Sequence, residues 1–118
     1  MNLHYYTSNS GKNYILEYIE SLTLDEQIDA FSVLQNMQNG EFNKLNFKRW
    51  QKKIYEVYFY KHNRIFYITI DNNNIYLLHA CRKQKTKLKK LTQELLKAGL
   101  RSLARNSEKY LYKGMVNT

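Results

Sequence analysis

The chain has 118 residues, 19 Lys and Arg against 10 Asp and Glu, a formal net charge of +9 and one cysteine. This length suits one domain with a hydrophobic core, so we expect residues 1–118 to form a single domain. No apolar run is long enough to predict a membrane span, and the N-terminus lacks the pattern of a secretory signal. A lone cysteine cannot form an internal disulfide, and a reducing, cytoplasmic setting is therefore expected.

The charge is unevenly distributed along the chain. Residues 1–41 contain six acidic residues and one lysine, whereas residues 42–118 contain eighteen Lys and Arg and four acidic residues. A strongly basic region is typical of a protein that binds a polyanion, most often nucleic acid. Tyr, Phe and Trp50 are interleaved with these cations and can stack on bases. The alternative is a lysine-rich surface that is merely solvated.

The N-terminal third predicts a short edge strand followed by two helices. Residues 2–6 are β-formers, and the apolar spacing that follows predicts an amphipathic helix over about residues 11–21. Thr23 and Glu26 have the spacing of a capping box that starts the second helix. Gly40 is expected to end that helix in a left-handed conformation. Together they predict an αα-hairpin whose second helix has an apolar stripe formed by Leu24, Ile28, Phe31, Leu34 and Met37.

The central segment predicts three consecutive strands, Lys53–Tyr60, Arg64–Ile70 and Asn74–Arg82, each rich in Ile, Val, Tyr and Phe. The links Lys61–Asn63 and Asp71–Asn73 are short and polar, as in tight hairpins, so the strands should form an antiparallel meander. The preceding residues 42–52 are either a short strand or a basic loop.

Strict alternation in the first of these strands predicts one packed face and one wet face. Tyr55, Val57 and Phe59 fall on one side. Ile54, Glu56, Tyr58 and Tyr60 fall on the other. The wet face is where functional side chains are expected.

The C-terminal region begins with six cations in the nine residues from Arg82 to Lys90. Leucine spacing then predicts a helix over about residues 87–105, weakened by Gly99 by about 1 kcal/mol relative to alanine. Asn106 and Ser107 are expected to break it before a final turn that reaches Tyr112. The predicted fold is α+β, an antiparallel sheet with an N-terminal edge strand and with the helices on one face.

Four motifs in this order resemble the HigB-type toxins, the phage-derived branch of the RelE/ParE superfamily of bacterial type II toxin–antitoxin systems. They are IYEVY, NRIFY, LLHA and RKQKT, which occupy Ile54–Tyr58, Asn63–Tyr67, Leu77–Ala80 and Arg82–Thr86. The resemblance covers about residues 3–105. The chain departs from the family pattern at Tyr58, where the family usually has arginine, at Lys87, where it has proline, and in a slightly shorter basic segment.

The resemblance implies a RelE-like fold and a ribosome-dependent mRNA endonuclease that inhibits translation. It also implies a HigA-type antitoxin as partner, with operator DNA bound only through that antitoxin, and mRNA and the ribosome as targets. No cysteine or histidine spacing supports a metal site, so neither metal nor cofactor is predicted. Two alternatives remain: a non-catalytic nucleic-acid-binding module, and a ParE-like toxin that inhibits DNA gyrase.

Metal-independent RNA cleavage needs a base, cations that stabilise the phosphorane and an acid for the leaving oxygen. We predict Arg64 as the phosphate clamp, with an ion pair to Glu56 as its structural alternative. Lys83 adds positive charge. His79 is a candidate acid or base that titrates near neutral pH, or else a core histidine. Glu56 is a candidate base or a residue that orients Arg64.

Five further residues are predicted to contact RNA without taking part in the chemistry. Arg49, Lys52 and Lys53 are expected to bind the sugar–phosphate backbone, Tyr58 to stack on a base, and Arg82 to supply charge at the end of the last strand. Each has a bland alternative as an ordinary strand or surface residue. The acidic, helical segment 11–40 is expected to form part of the antitoxin contact.

Overall fold

The computed structural model describes residues 1–83, 93, 94 and 96–105. Two helices, α1 (Tyr14–Glu20) and α2 (Leu24–Gln38), are followed by a 3-10 turn at Phe42–Lys44. Residues 93, 94 and 96–105 are helical and are called the C-terminal helix. The strands are β1 (Asn2–Tyr5), β2 (Asn46–Gln51), β3 (Ile54–Phe59), β4 (Asn63–Asp71) and β5 (Asn74–Arg82). No helix in these ranges is long and apolar enough to cross a membrane.

The five strands form one sheet in the order β1-β5-β4-β3-β2. Strands β2 to β5 are an antiparallel meander, so the predicted three-strand meander is confirmed and extended by β2. The segment left open between strand and basic loop is therefore mainly strand. The edge strand β1 is also confirmed, but it pairs parallel to β5, with Leu3 opposite Ile75. The expectation of a wholly antiparallel sheet is wrong at this strand, because no local turn signal specifies a pairing between residues so far apart.

Helices α1 and α2 pack on one face of the sheet. Ile15 and Ile19 of α1 and Met37 of α2 are buried there with Val57 and Leu77 from the strands. Residues of β3 divide between the two faces as their alternation predicts, since Tyr55, Val57 and Phe59 all belong to this helical side. The apolar periodicity of these elements is thus explained by burial.

The C-terminal helix packs on the opposite face, where Leu96 is buried against Ile54, Phe66 and Leu78. A Cβ added at Gly99 would lie 3.2 Å from Leu78 Cδ2, so glycine permits the close approach of this helix to β5. The prediction that all helices share one face is therefore wrong. Leucine periodicity specifies that a helix buries a stripe, but not which side of a sheet receives it.

The apolar stripe predicted for α2 is buried only at its C-terminal end. Leu34 and Met37 are in the core, whereas Leu24, Ile28 and Phe31 are 71%, 60% and 50% exposed. The buried side of α2 instead includes Glu26, Ala30 and Val33. The stripe was misassigned at its first three positions because a buried glutamate interrupts the true core face.

Local turn chemistry is mostly as predicted. Thr23 Oγ1 accepts the backbone N–H of Glu26, as in a capping box, and Gly40 follows α2 with φ +72°. Asp71 accepts the N–H of Asn73 in the second hairpin. The first hairpin differs, because Tyr60 and Lys61 adopt its positive φ angles and Asn63 is already a buried strand residue. The predicted break at 106–107, the final turn and helical residues 87–92 lie outside the described residues.

Candidate active site

The register of the meander assembles polar side chains in two neighbouring rows on the side of the sheet that carries the C-terminal helix. Lys48, Glu56, Phe66 and His79 lie opposite one another in the first row. Residues directly opposite in an antiparallel pair share a face and approach closely. The second row contains Tyr58, Arg64 and Cys81. The six residues called here the Arg64 cluster are Lys48, Glu56, Tyr58, Arg64, His79 and Lys83.

A bulge in β5 decides which residues join this cluster. The register between β4 and β5 shifts at Phe66 and Tyr67, where Leu78 is the additional residue in β5. Strict alternation would place Leu77, His79 and Cys81 on one face. In the structure Leu77 packs with α1 and α2, whereas Cys81 packs on the C-terminal-helix side. Bulges of this kind commonly re-aim side chains next to active sites.

Arg64 is the centre of the cluster and is 6% exposed. Its Nη1 donates to Glu56 Oε2 at 2.9 Å, and its guanidinium lies 4.8 Å from the centre of the Phe66 ring. Its Nε is buried and has no hydrogen-bond partner in the described part of the chain. A buried donor without a partner costs about 1–3 kcal/mol, and such groups are rare enough to require an explanation. The ion pair with Glu56 is confirmed, yet it leaves one donor of Arg64 unused.

Glu56 is 1% exposed and is surrounded by donors. Oε2 accepts from Arg64, while Oε1 accepts from the Tyr58 hydroxyl and lies 3.6 Å from Lys48 Nζ. A buried carboxylate is tolerated when it is paired and hydrogen-bonded in this way. Glu56 therefore holds Arg64 and Tyr58 in place from beneath the surface.

Tyr58 links the buried pair to solvent. The centre of its ring lies 4.9 Å from Lys83 Nζ and 5.6 Å from Lys48 Nζ. Burial raises the pKa of Tyr58, so its hydroxyl stays protonated at neutral pH. Hydrogen bonding to Tyr58, with the nearby Glu56 carboxylate, raises the pKa of Lys48. Two accessible cations and a phenol thus cover the Glu56–Arg64 pair.

His79 is 8% exposed, and burial followed by the charge of Arg64 lowers its pKa to about 4. The imidazole is therefore neutral at pH 7, which fits the alternative of a core histidine and not that of a group that titrates near neutral pH. A neutral imidazole cannot donate the proton that a leaving oxygen requires at this pH. The register places His79 in the cluster, and its lowered pKa does not favour the role of acid.

Arg82 lies on the other side of the sheet. Its Nη2 is 3.9 Å from Glu26 Oε2, which belongs to a buried network on α2. In that network Asn63 Nδ2 donates to Glu26 Oε2 and the Tyr18 hydroxyl donates to Asn63 Oδ1. Hydrogen bonds, first from Asn63 and then from Thr23, lower the pKa of Glu26. Arg82 is thus separated from Arg64 although the two residues belong to neighbouring strands.

Arg49, Lys52 and Lys53 form a separate basic patch at the β2–β3 hairpin. All three are exposed, and Arg49 Nε donates to the backbone oxygen of Lys52 at 2.6 Å. Lys53 is five positions from Tyr58 along β3, about 17 Å in an extended strand. The structure therefore does not bring this patch into the Arg64 cluster.

Two residues of the site were missed in the sequence. Lys48 contacts both Glu56 and Tyr58, and Phe66 supplies the ring beneath Arg64. Lys48 would have been found if residues 46–51 had been assigned as a strand, because alternation then places it on the functional face.

The half-buried Cys81 lies beside Arg64, and burial raises the pKa of its thiol. Within the described ranges, no group of three or more His, Cys, Asp or Glu is arranged to hold a metal ion.

Comparison with known proteins adds one match. The model of a family described as phage-derived protein Gp49-like (DUF891) matches residues 17–101. The matched segment contains α2, all four strands of the meander and every member of the Arg64 cluster. A search of curated proteins finds no match.

Proposed function

Because the chain belongs to the family of phage-derived Gp49-like proteins, which is associated with toxin–antitoxin systems and related to RelE and HigB, we propose that it is a HigB-type toxin that cleaves mRNA on the ribosome. The observation that carries this proposal is Arg64, a buried guanidinium whose Nε has no hydrogen-bond partner among the described residues, beside Tyr58 and the two exposed lysines that contact its ring. This arrangement suits an anion that arrives from solvent. A phosphodiester has the required charge and acceptors.

In the proposed reaction the scissile phosphate binds between Arg64 and Lys83. Negative charge grows on the non-bridging oxygens as the 2′-oxygen attacks phosphorus. A guanidinium held rigidly by Glu56 and Phe66 stabilises that charge with little reorganisation. The positive charge that the transition state needs is thus supplied by side chains of the protein.

Tyr58 is the proposed path for the proton. As the 2′-oxygen attacks, its proton passes to the Tyr58 oxygen, and the Tyr58 proton passes along the existing hydrogen bond to Glu56. The P–O5′ bond then breaks, and Lys83 donates a proton to the leaving 5′-oxygen. The products are a 2′,3′-cyclic phosphate and a 5′-hydroxyl end. Tyr58 is suited to this role because it is half-exposed, whereas Glu56 is buried.

His79 and the hairpin cations have subsidiary roles in this proposal. Neutral His79 packs beneath the site and preserves the position of Arg64. Arg49, Lys52 and Lys53 bind ribosomal RNA or the mRNA backbone away from the scissile bond, which fits their distance from the cluster. Arg82 is held on the opposite side of the sheet by Glu26 and takes no part in cleavage.

We place the antitoxin on the exposed face of α2. Leu24, Ile28 and Phe31 recur at intervals of four and three residues, so they form one apolar ridge. Asp25 and Asp29 belong to the same helix, and this acidic setting contrasts with the basic remainder of the chain. A HigA-type antitoxin with an apolar stripe flanked by Lys or Arg complements that surface.

The proposal is tested by mRNA cleavage in a purified translation system, with and without ribosomes. Arg64→Ala should reduce ribosome-dependent cleavage about 10²-fold or more, because a charge-stabilising donor is lost. Arg64→Lys keeps the positive charge but lacks the planar guanidinium that can bind phosphate through two N–H groups. Its cleavage rate should lie between those of the wild type and Arg64→Ala. Arg82→Ala is the matched control, since it removes an arginine that is held by Glu26 on the opposite side of the sheet.

Each outcome has a defined reading. Cleavage that survives in a folded Arg64→Ala protein contradicts the assignment of the site. No cleavage by the wild type under either condition contradicts the nuclease function. A supercoiling assay then distinguishes gyrase inhibition from simple nucleic-acid binding.

A further inference from the structure

A cleft lies where the chain leaves β1, between the loop that follows this strand and the C-terminal helix. It has a volume of about 450 Å³ and includes Tyr6, Ser8, Ser10, Arg101 and Arg105 in its lining. Among the residues that the structure describes, no carboxylate contributes to its walls. The cleft lies outside the Arg64 cluster, and none of its residues is used in the proposed cleavage.

Two arginines form the charged wall. Arg101 and Arg105 are four positions apart on a helix, so their side chains are neighbours on one face. Both are exposed, and neither forms an ion pair with an acidic residue in the described part of the chain. Like charges at this spacing destabilise a helix in the absence of an anion. The pair therefore has the chemistry of an anion site, and guanidinium groups favour phosphate.

The opposite wall is polar and uncharged. Ser8 and Ser10 lie with their hydroxyl oxygens 2.9 Å apart, and Ser8 Oγ also accepts the backbone N–H of Lys12. Tyr6 is half-buried and packs against the core beneath the C-terminal helix, so its ring is held in place. Hydroxyls, guanidinium groups and an aromatic ring are together the groups that bind a sugar–phosphate backbone and stack on a base.

The cleft and the Arg64 cluster lie on the same side of the sheet. The backbone N–H of Tyr6 donates to the carbonyl of Leu77 in β5, and Cys81 further along β5 pairs with Arg64. Standard strand spacing and rise separate Tyr6 from Arg64 by about 14 Å. One continuous RNA strand can span this distance.

We propose that Arg101 and Arg105 bind the backbone of the single-stranded RNA substrate outside the cleavage site, with Tyr6 stacking on one base. This subsite rests on the proposed function, because it assigns a second region to the same substrate. It contributes affinity and strand path, and it takes no part in bond breaking. It also gives a role to the basic face of the C-terminal helix.

The test measures binding of a fluorescent 2′-O-methyl oligoribonucleotide, which cannot be cleaved, over a range of KCl concentrations. Each phosphate contact with single-stranded RNA contributes about 0.7 to the slope of log K against log salt. The double variant R101Q/R105Q should therefore lower the magnitude of the slope by about 1.4. R101K/R105K should keep most of the slope, since both charges remain.

K12Q/K44Q is the matched control, because it removes two exposed lysines that pair with Glu17 and Glu41. It should alter the slope much less than R101Q/R105Q. An unchanged slope in R101Q/R105Q, or an equal change in the control, overturns the subsite. Because the probe is not cleaved, this result is independent of whether the protein is a nuclease. The converse result also separates the two proposals: Arg64→Ala loses cleavage but still binds the uncleavable probe with the salt dependence of the wild type.

Discussion

The two faces of the sheet each contain a buried glutamate, but the two glutamates are satisfied to different extents. On the α1 and α2 face, Glu26 accepts hydrogen bonds from Asn63 and Thr23, and Asn63 in turn accepts the Tyr18 hydroxyl. On the opposite face, Glu56 holds an arginine whose Nε has no partner within the described residues. A closed network stabilises a fold, whereas an unused buried donor requires an explanation, and the proposed phosphate site supplies one.

The largest expected effect contrasts these two carboxylates. Glu56→Gln should lower single-turnover cleavage about 10²-fold, because the amide cannot accept the proton relayed by Tyr58. Glu26→Gln should leave cleavage per folded molecule within about twofold and act mainly on stability. Urea unfolding measures the stability of both variants and the cleavage assay measures their activity, so the effect on stability can be separated from the effect on cleavage. Equal losses of cleavage in both would show that the two faces do not differ in function.

The next effect concerns the pH dependence of stability. His79 has a pKa of about 4 in the folded state, against about 6.5 when unfolded, so the unfolded chain binds the additional proton between these values. The stability that His79 contributes is fully present above pH 6.5 and is lost as the pH falls to 4, by about 3 kcal/mol. The pKa of Glu26 is also lowered, so its contribution to the stability of the fold is lost in acid too, but at a lower pH than the contribution of His79.

Comparison of His79→Gln with the wild type isolates this contribution. Denaturant unfolding at several pH values should show a weaker loss of stability in the variant between pH 6.5 and 4. Parallel curves for the two proteins would contradict the burial of a neutral imidazole. Cleavage by the variant should keep the pH profile of the wild type between pH 6.5 and 8, since His79 does not change charge there.

The smallest effect on stability is expected at the exposed ridge of α2. Replacing Leu24, Ile28 and Phe31 with glutamine should change the free energy of unfolding by only about 0.5 kcal/mol per site, because these side chains are outside the core. The triple variant should nevertheless lose neutralisation by its antitoxin, measured as protection of translation. Phe47→Gln is the control, since Phe47 is a partly exposed aromatic outside this helix. Full neutralisation of the triple variant would place the antitoxin elsewhere.

Features that depend on neighbouring residues were predictable from the sequence. The meander strands, the capping box at Thr23 and the left-handed Gly40 follow from alternation, side-chain hydrogen bonding and the absence of a Cβ. The presence of Glu56 and Tyr58 together on one face follows from the same alternation. These patterns act within a few residues, so the order of residues alone specifies them.

Which residues make up the candidate site depends on the pairing register between the strands, which the sequence did not reveal. A bulge of one residue in β5 separates His79 and Cys81 from the face of Leu77, and nothing in the spacing of these residues announces it. Asn63 resembled a turn residue, yet its amide bonds Glu26 in the interior. The sequence left open whether His79 titrates near neutral pH or is a core histidine, and burial, which lowers its pKa, decides for the second. Each of these outcomes depends on groups distant in sequence.

The amino-acid sequence by itself determined the helices, most of the strands and the family to which the chain belongs. Tertiary structure decided that β1 pairs parallel to β5, that the C-terminal helix packs on the face opposite α1 and α2, and that part of the α2 stripe stays exposed. The physical reason is that periodicity specifies only that a surface is apolar. What covers that surface, and how far each charge is desolvated, depends on the packing of elements that are far apart in the chain.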